Sequence, residues 1–306
     1  MKPIVMAPMA GVSDKPWRQM VRRFGTQTLF TEMIGADSWF RAHPITRKMM
    51  DIRDETHIVV QLVGINPETM AEAARVAQDM GAEGIDINMG CPVKKLISNG
   101  SGAALMRTPE RAARLVAAVR SAVEIPVSVK MRLGWDSDHI NVVPFAVQMV
   151  EAGADRLTIH ARTRTQGYAG TADWARVRQV KEAVSVPVFV NGDITDQVSA
   201  ERALAISQAD GVMIGRGALG RPWTLATVAT GTEPPLSLEQ RADLICEHLD
   251  LMLSYYGSHG VFVARKHLAW AMRGQKNVAE FCRKVYDETD VDKIKKYIHV
   301  FLRGTP

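Results

Sequence analysis

Cysteine is scarce in this chain, whose 306 residues include only Cys91, Cys246 and Cys282. Three thiols cannot form a complete disulfide framework, and their spacing matches no zinc-binding pattern. Disulfides belong to oxidising compartments. We therefore expect a cytoplasmic protein without a metal site.

Long apolar segments are also missing. No run of about 18 apolar residues occurs, so we expect no membrane-spanning helix. The first apolar run breaks at Pro8 and is too short for a signal peptide. Hydrophobic residues make up 46% of the chain, which is ordinary for a globular protein. The net charge of +5 is a mild basic excess.

Short runs rich in valine and isoleucine recur about every 30 residues, with helical patterns between them. The stretches 67–82 and 109–123 are amphipathic, and each has a proline near its start. Eight such units predict a (β/α)₈ TIM barrel over residues 1–235. A doubly wound open sheet also alternates strands and helices, but no GxGxxG follows the first strand. The runs begin near Ile4, Leu29, His57, Gly84, Pro126, Arg156, Pro187 and Asp210.

Residues 236–306 have a helical period and few β-branched runs, which predicts a smaller C-terminal helical domain. Between 262 and 284, six basic residues stand against Glu280, with Trp270 and Phe281 among them. One interpretation is a solvated helix face with aromatic core residues. The other is a surface that contacts the phosphate backbone of a nucleic acid. The basic residues are Arg265, Lys266, Arg273, Lys276, Arg283 and Lys284.

Polar residues and glycines close the predicted strands, and in a barrel these ends meet at one rim. Glycines after strands 7 and 8 let backbone N–H groups approach an anion closely. Lys130, which we expect to be buried in strand 5, needs a negative partner. FMN would satisfy both, whereas a Schiff-base lysine is the alternative for Lys130. Cys91, just past strand 4, is a structural thiol, a nucleophile or a general acid. The other strand-end residues are Pro8, Met9, Ala10, Glu32, Gln61, Asn88, Arg132, His160, Arg162, Asn191, Gly192, Asp193, Gly215 and Arg216.

Several motifs together resemble the bacterial tRNA-dihydrouridine synthases, most closely their B-type, nitrogen-regulation-like branch. The resemblance extends over essentially the whole chain. It is weakest at LISNGSG, residues 96–102, in the loop after Cys91. The matching motifs are MAPMAGVSDKPWR (6–18), INMGCPVKK (87–95), VKMRLGW (129–135), IHARTR (159–164), VNGDI (190–194), MIGRGALGRPW (213–223) and ARKHLAW (264–270).

The resemblance implies a monomeric flavoenzyme that reduces the 5,6 double bond of D-loop uridines in tRNA, with FMN recharged by NADPH or NADH. Residues 1–235 would then be the FMN-binding catalytic domain and 236–306 the tRNA-binding domain. Flavin N5 would deliver hydride to C6 of the uracil, and Cys91 would protonate C5.

The resemblance also implies roles for further residues. Gln61 would bond the flavin ring, Lys130 its N1/O2 side, and Asn88 and Arg132 would lie beside flavin and uracil. The strand-1 residues that would line the flavin are Pro8, Met9 and Ala10. The phosphate end would be held by His160, Asn191, Gly192, Asp193, Gly215 and Arg216. The tRNA contacts would include Lys94, Lys95, Arg265, Lys266 and His267.

Three other functions remain open: a flavin-dependent oxidoreductase of small pyrimidines, a Schiff-base aldolase and a non-catalytic RNA-binding barrel. The first would share the barrel and the flavin but would not need the basic helical domain. The aldolase would be colourless. The sequence leaves open which uridine is modified and which nicotinamide donor is preferred.

Overall fold

The computed structural model of the chain describes residues 2–25, 27–37 and 44–304. Eight parallel strands form one sheet in the order β1-β8-β7-β6-β5-β4-β3-β2. Each begins within one residue of its predicted start. The strands are β1 (Ile4–Met6), β2 (Leu29–Gly35), β3 (Ile58–Val63), β4 (Gly84–Met89), β5 (Val127–Met131), β6 (Arg156–His160), β7 (Val188–Asn191) and β8 (Gly211–Ile214).

The sheet curls almost into a closed barrel. Strand β1 pairs with β8 through the register Ile4↔Val212, and β1 also contacts β2, although no ladder joins those two strands. Every other strand pairs with its neighbour in the chain, as a right-handed succession of βα units requires. The TIM barrel prediction is confirmed.

The strands are buried on both faces because helices cover the outside and side chains fill the inside. A hydrophobic cluster on β1, β2, β3 and β8 fills part of the barrel, with Met9 packed against it. Its members are Val5, Ala7, Phe30, Val59 and Met213.

Helices follow each strand. Pro67 opens its helix and Asn66 caps it by accepting a hydrogen bond from the Thr69 backbone, which is the predicted role of proline at a helix start. The helices are Lys15–Arg22, Pro44–Met49, Pro67–Asp79, Lys94–Ser98, Pro109–Ala122, Val142–Glu151, Trp174–Ala183, Gln197–Ser207 and Thr224–Thr230, with 3₁₀ turns at Gly102–Arg107 and Arg216–Ala218.

The chain divides into two compact units. The barrel unit comprises residues 1–13 and 26–217, and the helical unit comprises 14–25 and 218–306. The helical unit therefore includes the helices Lys15–Arg22 and Thr224–Thr230, although the sequence pattern draws the boundary at 235. Its other helices are Leu238–Tyr256, Gly260–Ala271, Val278–Asp287 and Val291–Arg303.

The helical unit has its own core, built where its four last helices turn their apolar faces together. Leu249, Met252, Leu268, Phe281 and Ile298 are buried there. Among the described residues no helix is long and apolar enough to cross a bilayer.

Candidate active site at the barrel mouth

Cys91 lies just past the carboxyl end of β4, where backbone contacts fix it. The Asn88 side-chain oxygen accepts hydrogen bonds from the backbone N–H groups of Gly90 (3.2 Å) and Cys91 (3.0 Å). The Cys91 carbonyl accepts from Ala103 N–H at 3.0 Å. The thiol is thus held between the end of β4 and the turn Gly102–Arg107.

Gly102 makes this arrangement possible. Its φ is +59°, and a Cβ added there would lie 2.8 Å from the Cys91 carbonyl oxygen. A side chain at this position would therefore both strain the backbone and displace Cys91. The loosely matching loop 96–102 thus ends in a residue that Cys91 requires.

The Cys91 thiol is protonated at neutral pH. Burial raises its pKa, and this effect outweighs the opposing hydrogen bond from the Val93 backbone and the nearby charges of Arg132 and Lys130. A thiol with a raised pKa is a poor nucleophile and a proton donor.

A buried chain of hydrogen bonds runs beneath Cys91. Asn88 donates to Gln61 Oε1 (2.8 Å), and Gln61 Nε2 donates to Asp86 (2.6 Å). Ser128 donates to the other Asp86 oxygen at 2.6 Å. Because both ends of the Gln61 amide are engaged, its orientation is fixed. One N–H and one lone pair remain for a ligand.

Lys130 lies on β5 and donates to the Asn191 side-chain oxygen at 3.1 Å. Burial, followed by the charge of Arg132, lowers its pKa to about 8, while Asp86 opposes the shift. Asn191 in turn donates to Met213 O at 2.8 Å. The structure therefore places Asn191 where it orients Lys130, on the inner side of the mouth.

Arg132 joins three segments of the rim. Its guanidinium donates to the carbonyls of Gly90, Thr163 and Gly167, each at 2.8 Å. Only 2% of the residue is exposed. Burial lowers its pKa to about 10, so it stays charged at neutral pH. The residue fixes the loops after β4 and β6, and its charge also acts on Cys91.

His160 is buried at the end of β6, and burial together with surrounding cations holds its pKa far below the ordinary value. It is therefore a neutral imidazole among positive charges. The cations that act on it are Lys130, Arg132, Arg162 and Arg216. So many cations around one neutral ring make the mouth suitable for an anion.

The ends of β7 and β8 combine an acid with two glycines. Asp193 (φ +56°) accepts from Arg162 at 2.7 Å and from Ala172 N–H at 2.8 Å, which ties the β6 loop to β7. Gly192 has φ +120°, and a Cβ there would meet His160 at 3.1 Å. A Cβ on Gly215 would fill the space beside Met9, 3.7 Å from its sulfur.

These features fit a phosphate-bearing cofactor. The glycines leave the backbone accessible at the position where barrels bind phosphate. Arg216 is exposed, lies 4.4 Å from the Tyr168 ring centre and 4.0 Å from Asp193, and keeps donors free for an anion. One Arg162 amino nitrogen is buried without a hydrogen-bond partner.

The strand-1 residues bound the mouth on the other side. Pro8 and Met9 are half-buried and Ala10 is exposed. The Met9 backbone is held by Ser13, whose hydroxyl accepts from Met9 N–H at 2.7 Å. Glu32 accepts from Gly11 N–H at 2.5 Å. The turn after β1 is therefore fixed by acceptors on both sides.

The predicted RNA contacts differ in their surroundings. Lys94 and Lys95 are exposed at the start of a short helix, and neither has an ion pair within the described part of the chain. Arg265 is half-buried against Phe262, 4.6 Å from its ring centre. Lys266 is half-buried too.

His267 does not fit a direct contact with RNA. Only 3% of it is exposed, and it packs against Trp17, His248 and Trp270 in the helical unit. Lys266 is half-buried whereas His267 and Leu268 are buried, because successive residues of a helix point about 100° apart and only some of them face the core.

Two residues of the site were absent from the predicted set. Asp86 stands two positions before Asn88 on β4. Because side chains alternate between the two faces of a strand, both of these point to the same face. Tyr168 is 56% exposed and lies within 6.1 Å of the His160 ring. A lone aromatic residue between Gly167 and Gly170 in a strand-end loop was its only signal.

Known proteins resemble the chain throughout. The sequence profile of the dihydrouridine synthase family, described as "Dihydrouridine synthase (Dus)", matches residues 5–302. The chain belongs to the dihydrouridine synthase family. The resemblance found in the motifs is thereby confirmed, and the chain is an enzyme of this family.

Individual relatives agree with this assignment. A probable tRNA-dihydrouridine synthase of Rhodobacter capsulatus is 48% identical over 276 residues, 88% of this chain and 85% of that protein. One of Rickettsia bellii is 44% identical over 286 residues, covering 91% and 88%. The tRNA-dihydrouridine synthase B of Xanthomonas campestris pv. campestris is 40% identical over 314 residues, covering 99% and 95%.

A solved structure shares the fold of this dihydrouridine synthase. Morphinone reductase superimposes with a TM-score of 0.55 at 12% identity, over 76% of this chain and 86% of its own. At that identity the likeness concerns the barrel alone.

Proposed function

We propose that this dihydrouridine synthase acts on tRNA in the cytoplasm, as an FMN-dependent enzyme that uses NADPH or NADH. It reduces the C5–C6 double bond of specific D-loop uridines. The observation that carries the proposal is a half-buried, protonated thiol, Cys91, held at the barrel mouth beside Lys130 and Arg132. Membership in the family and the names of the relatives support it.

The residues of the mouth fit FMN. Gly192, Gly215 and Arg216 would hold its phosphate, with His160 and Asp193 shaping that end. Gln61 and Lys130 would face its ring, because Gln61 keeps one donor and one acceptor free and Lys130 supplies a positive charge. Pro8, Met9 and Ala10 would line it. When bound and reduced, FMN supplies the hydride.

The protein itself supplies the proton of the reaction. Cys91 gives its proton to C5 of the uracil, and the S–H bond breaks as the C–H bond forms. The thiolate left behind is stabilised by Arg132, Lys130 and the Val93 N–H, the groups that already favour the ionised form. A proton from water then restores the thiol.

We assign RNA binding to both units. A uridine inside folded RNA must leave its stack at a cost of a few kcal/mol, which phosphate contacts can offset. Lys94 and Lys95 offer such contacts beside Cys91. On the helical unit Arg273, Lys276 and Arg283 are exposed, whereas Lys284 pairs with Glu280 at 2.8 Å.

The thiol is tested by Cys91→Ala. This variant should keep FMN and tRNA binding but lose dihydrouridine formation by about 10²- to 10⁴-fold, the usual contribution of a general acid. Cys282→Ala is the matched control, since Cys282 is a half-buried thiol of the helical unit. Dihydrouridine is measured by mass spectrometry of tRNA, and FMN by its absorption.

Three results would contradict the proposal. Full activity of Cys91→Ala would remove the acid role. A purified protein that takes up no FMN would remove the flavin mechanism. Reduction of free uracil or uridine as fast as of tRNA would favour the small-molecule oxidoreductase.

The helical unit is tested at Arg273 and Lys276, because Arg265 also packs on Phe262 and its loss would disturb the helix. The double variant Arg273→Glu/Lys276→Glu should weaken tRNA binding. The slope of log affinity against log salt should become shallower by roughly the contribution of two phosphate contacts. Lys295→Glu, on a lysine already paired with Asp250 at 2.7 Å, is the control for charge reversal. An unchanged salt dependence would leave this face without a role in binding.

A further inference from the structure

Two arginines of the barrel unit lie against one indole ring. The guanidinium carbons of Arg107 and Arg164 are 4.8 and 4.6 Å from the ring centre of Trp135. We call these three residues the Trp135 stack. The guanidiniums cannot be further apart than the two distances together, which is within about one Debye length (~10 Å at 0.1 M salt). Two like charges so close repel each other unless an anion lies between or beside them.

No acid among the described residues pairs with either arginine of the stack. Within residues 2–25, 27–37 and 44–304, neither guanidinium forms an ion pair with a carboxylate. Asp136, which follows Trp135 in sequence, is engaged by His139 at 2.7 Å. The Nε of Arg164 is buried and lacks a hydrogen-bond partner. The stack therefore holds positive charge that no carboxylate in the described part of the chain pairs with.

Backbone hydrogen bonds place Trp135 and Arg164 side by side. Arg164 N–H donates to Gly134 O at 2.9 Å, and Thr165 N–H donates to Trp135 O at 3.0 Å. The loop that carries Trp135 closes on itself, because Trp135 N–H donates to His139 O at 3.1 Å. Gly134 allows this turn, since its φ is +152° and a Cβ there would lie 2.2 Å from His139 O.

Arg107 is fixed from a third segment. It ends the 3₁₀ turn that begins at Gly102. The Asn141 side chain donates to the carbonyl of Met106, its preceding residue, at 2.7 Å. The three members of the stack thus come from the loops after β4, β5 and β6, which are joined by hydrogen bonds. This makes the stack a built feature of the rim, in contrast to a chance meeting of long side chains.

The stack adjoins the candidate active site. Arg132, which acts on Cys91, donates to the carbonyls of Thr163 and Gly167, on either side of Arg164 in the chain. The turn that ends at Arg107 starts at Gly102, which touches Cys91. A nucleotide chain whose base reached Cys91 would bring its phosphates to this rim.

We propose that Arg107 and Arg164, held on Trp135, bind backbone phosphates of the RNA strand next to the target uridine. This rests on the proposed action on tRNA. Guanidinium groups bind phosphate through two parallel hydrogen bonds, and stacking on an aromatic face leaves those in-plane donors free. The repulsion between the two charges is relieved when the strand binds. Trp135 is the positioning residue of this contact.

The test compares tRNA binding by the full-length protein at several salt concentrations. Arg107→Gln and Arg164→Gln should each lower the slope of log affinity against log salt by about 0.7–0.9. Between 50 and 200 mM salt, the double variant should then lose about tenfold less affinity than the wild type. Arg107→Lys keeps the charge and should keep the slope. Arg202→Gln, at an exposed arginine on the outer helix Gln197–Ser207, is the control and should match the wild type.

The outcomes separate this proposal from the one it rests on. If the wild type binds and reduces tRNA but the double variant keeps its slope and affinity, the stack is not a phosphate site and the proposed function stands. An equal loss in Arg202→Gln would show an effect of net charge and would also overturn the stack. If the wild type neither binds nor reduces tRNA, both proposals fall.

Discussion

Lys130 should destabilise the fold that contains it. Its pKa falls from 10.5 to about 8 because it is buried beside Arg132. One pKa unit corresponds to about 1.4 kcal/mol, so the charged lysine costs the folded state roughly 3 kcal/mol at pH 7. Lys130→Met removes that cost and loses the hydrogen bond to Asn191, worth about 1 kcal/mol. The FMN-free variant should therefore be more stable than the wild type by roughly 2 kcal/mol.

The effect must depend on pH in one direction. Above pH 8 the folded lysine is neutral, while the unfolded chain keeps its proton up to about pH 10.5. The unfolded state then binds more protons, so wild-type stability rises with pH across this window. The advantage of Lys130→Met should thus be full below pH 8 and shrink towards pH 10.5.

The assay is urea unfolding of the FMN-free protein at pH 7 and at pH 10. Lys94→Met is the control, since Lys94 is exposed and its loss should change stability by less than about 0.5 kcal/mol. FMN at a hundred times its Kd should stabilise the wild type by about 2.7 kcal/mol, and the variant by much less. A destabilised Lys130→Met, or a gain independent of pH, would refute the reasoning that this lysine is a buried charge waiting for an anion.

Three further predictions follow from the geometry of the two units. Gly102→Ala should lower dihydrouridine formation at least tenfold and leave FMN binding intact, because it displaces Cys91. The control is Gly100→Ala, at a glycine that shares the positive φ without that contact, and it should retain activity in the same assay. Asp86→Asn removes a charge that raises the pKa of the buried lysine, so the pH midpoint of FMN affinity should fall below about 8 in a titration. The helical unit should lose stability as the pH drops from 6.5 towards 3, because burial lowers the pKa of His248 to about 3 and the unfolded chain takes up the proton first; His248→Phe should weaken this acid sensitivity in thermal melts.

The barrel was predictable because its strands are buried on both faces. Apolar runs of four to seven residues with prolines and glycines between them leave few alternatives, and each strand starts within one residue of its predicted position. The same pattern places most candidate site residues, since the last polar residue of each strand points at the rim. The functional assignments of these residues stay predictions until they are tested.

What could not be predicted depends on contacts between distant segments. Nothing in the sequence shows that Arg132 binds three carbonyls, or that Asp86 anchors the Gln61 amide, which in turn accepts from Asn88. In the helical unit, the sequence does not reveal which basic residues pair with an acid or which of their side chains are buried. Only the structure separates His267, which faces the core, from the exposed Arg273.

The arrangement around Cys91 explains how one thiol can remain protonated among cations. Nearby positive charges alone would ionise it, as they do in reactive cysteines. Here the pKa is raised, so burial outweighs Arg132 and Lys130 in the resting state. The cations then act only once the proton has left and negative charge develops on sulfur. Interactions that strengthen during the reaction accelerate it, whereas those equal in both states do not. Lys130 and Arg132, although their burial is costly, therefore lie where their charges can lower the barrier to protonation of the base.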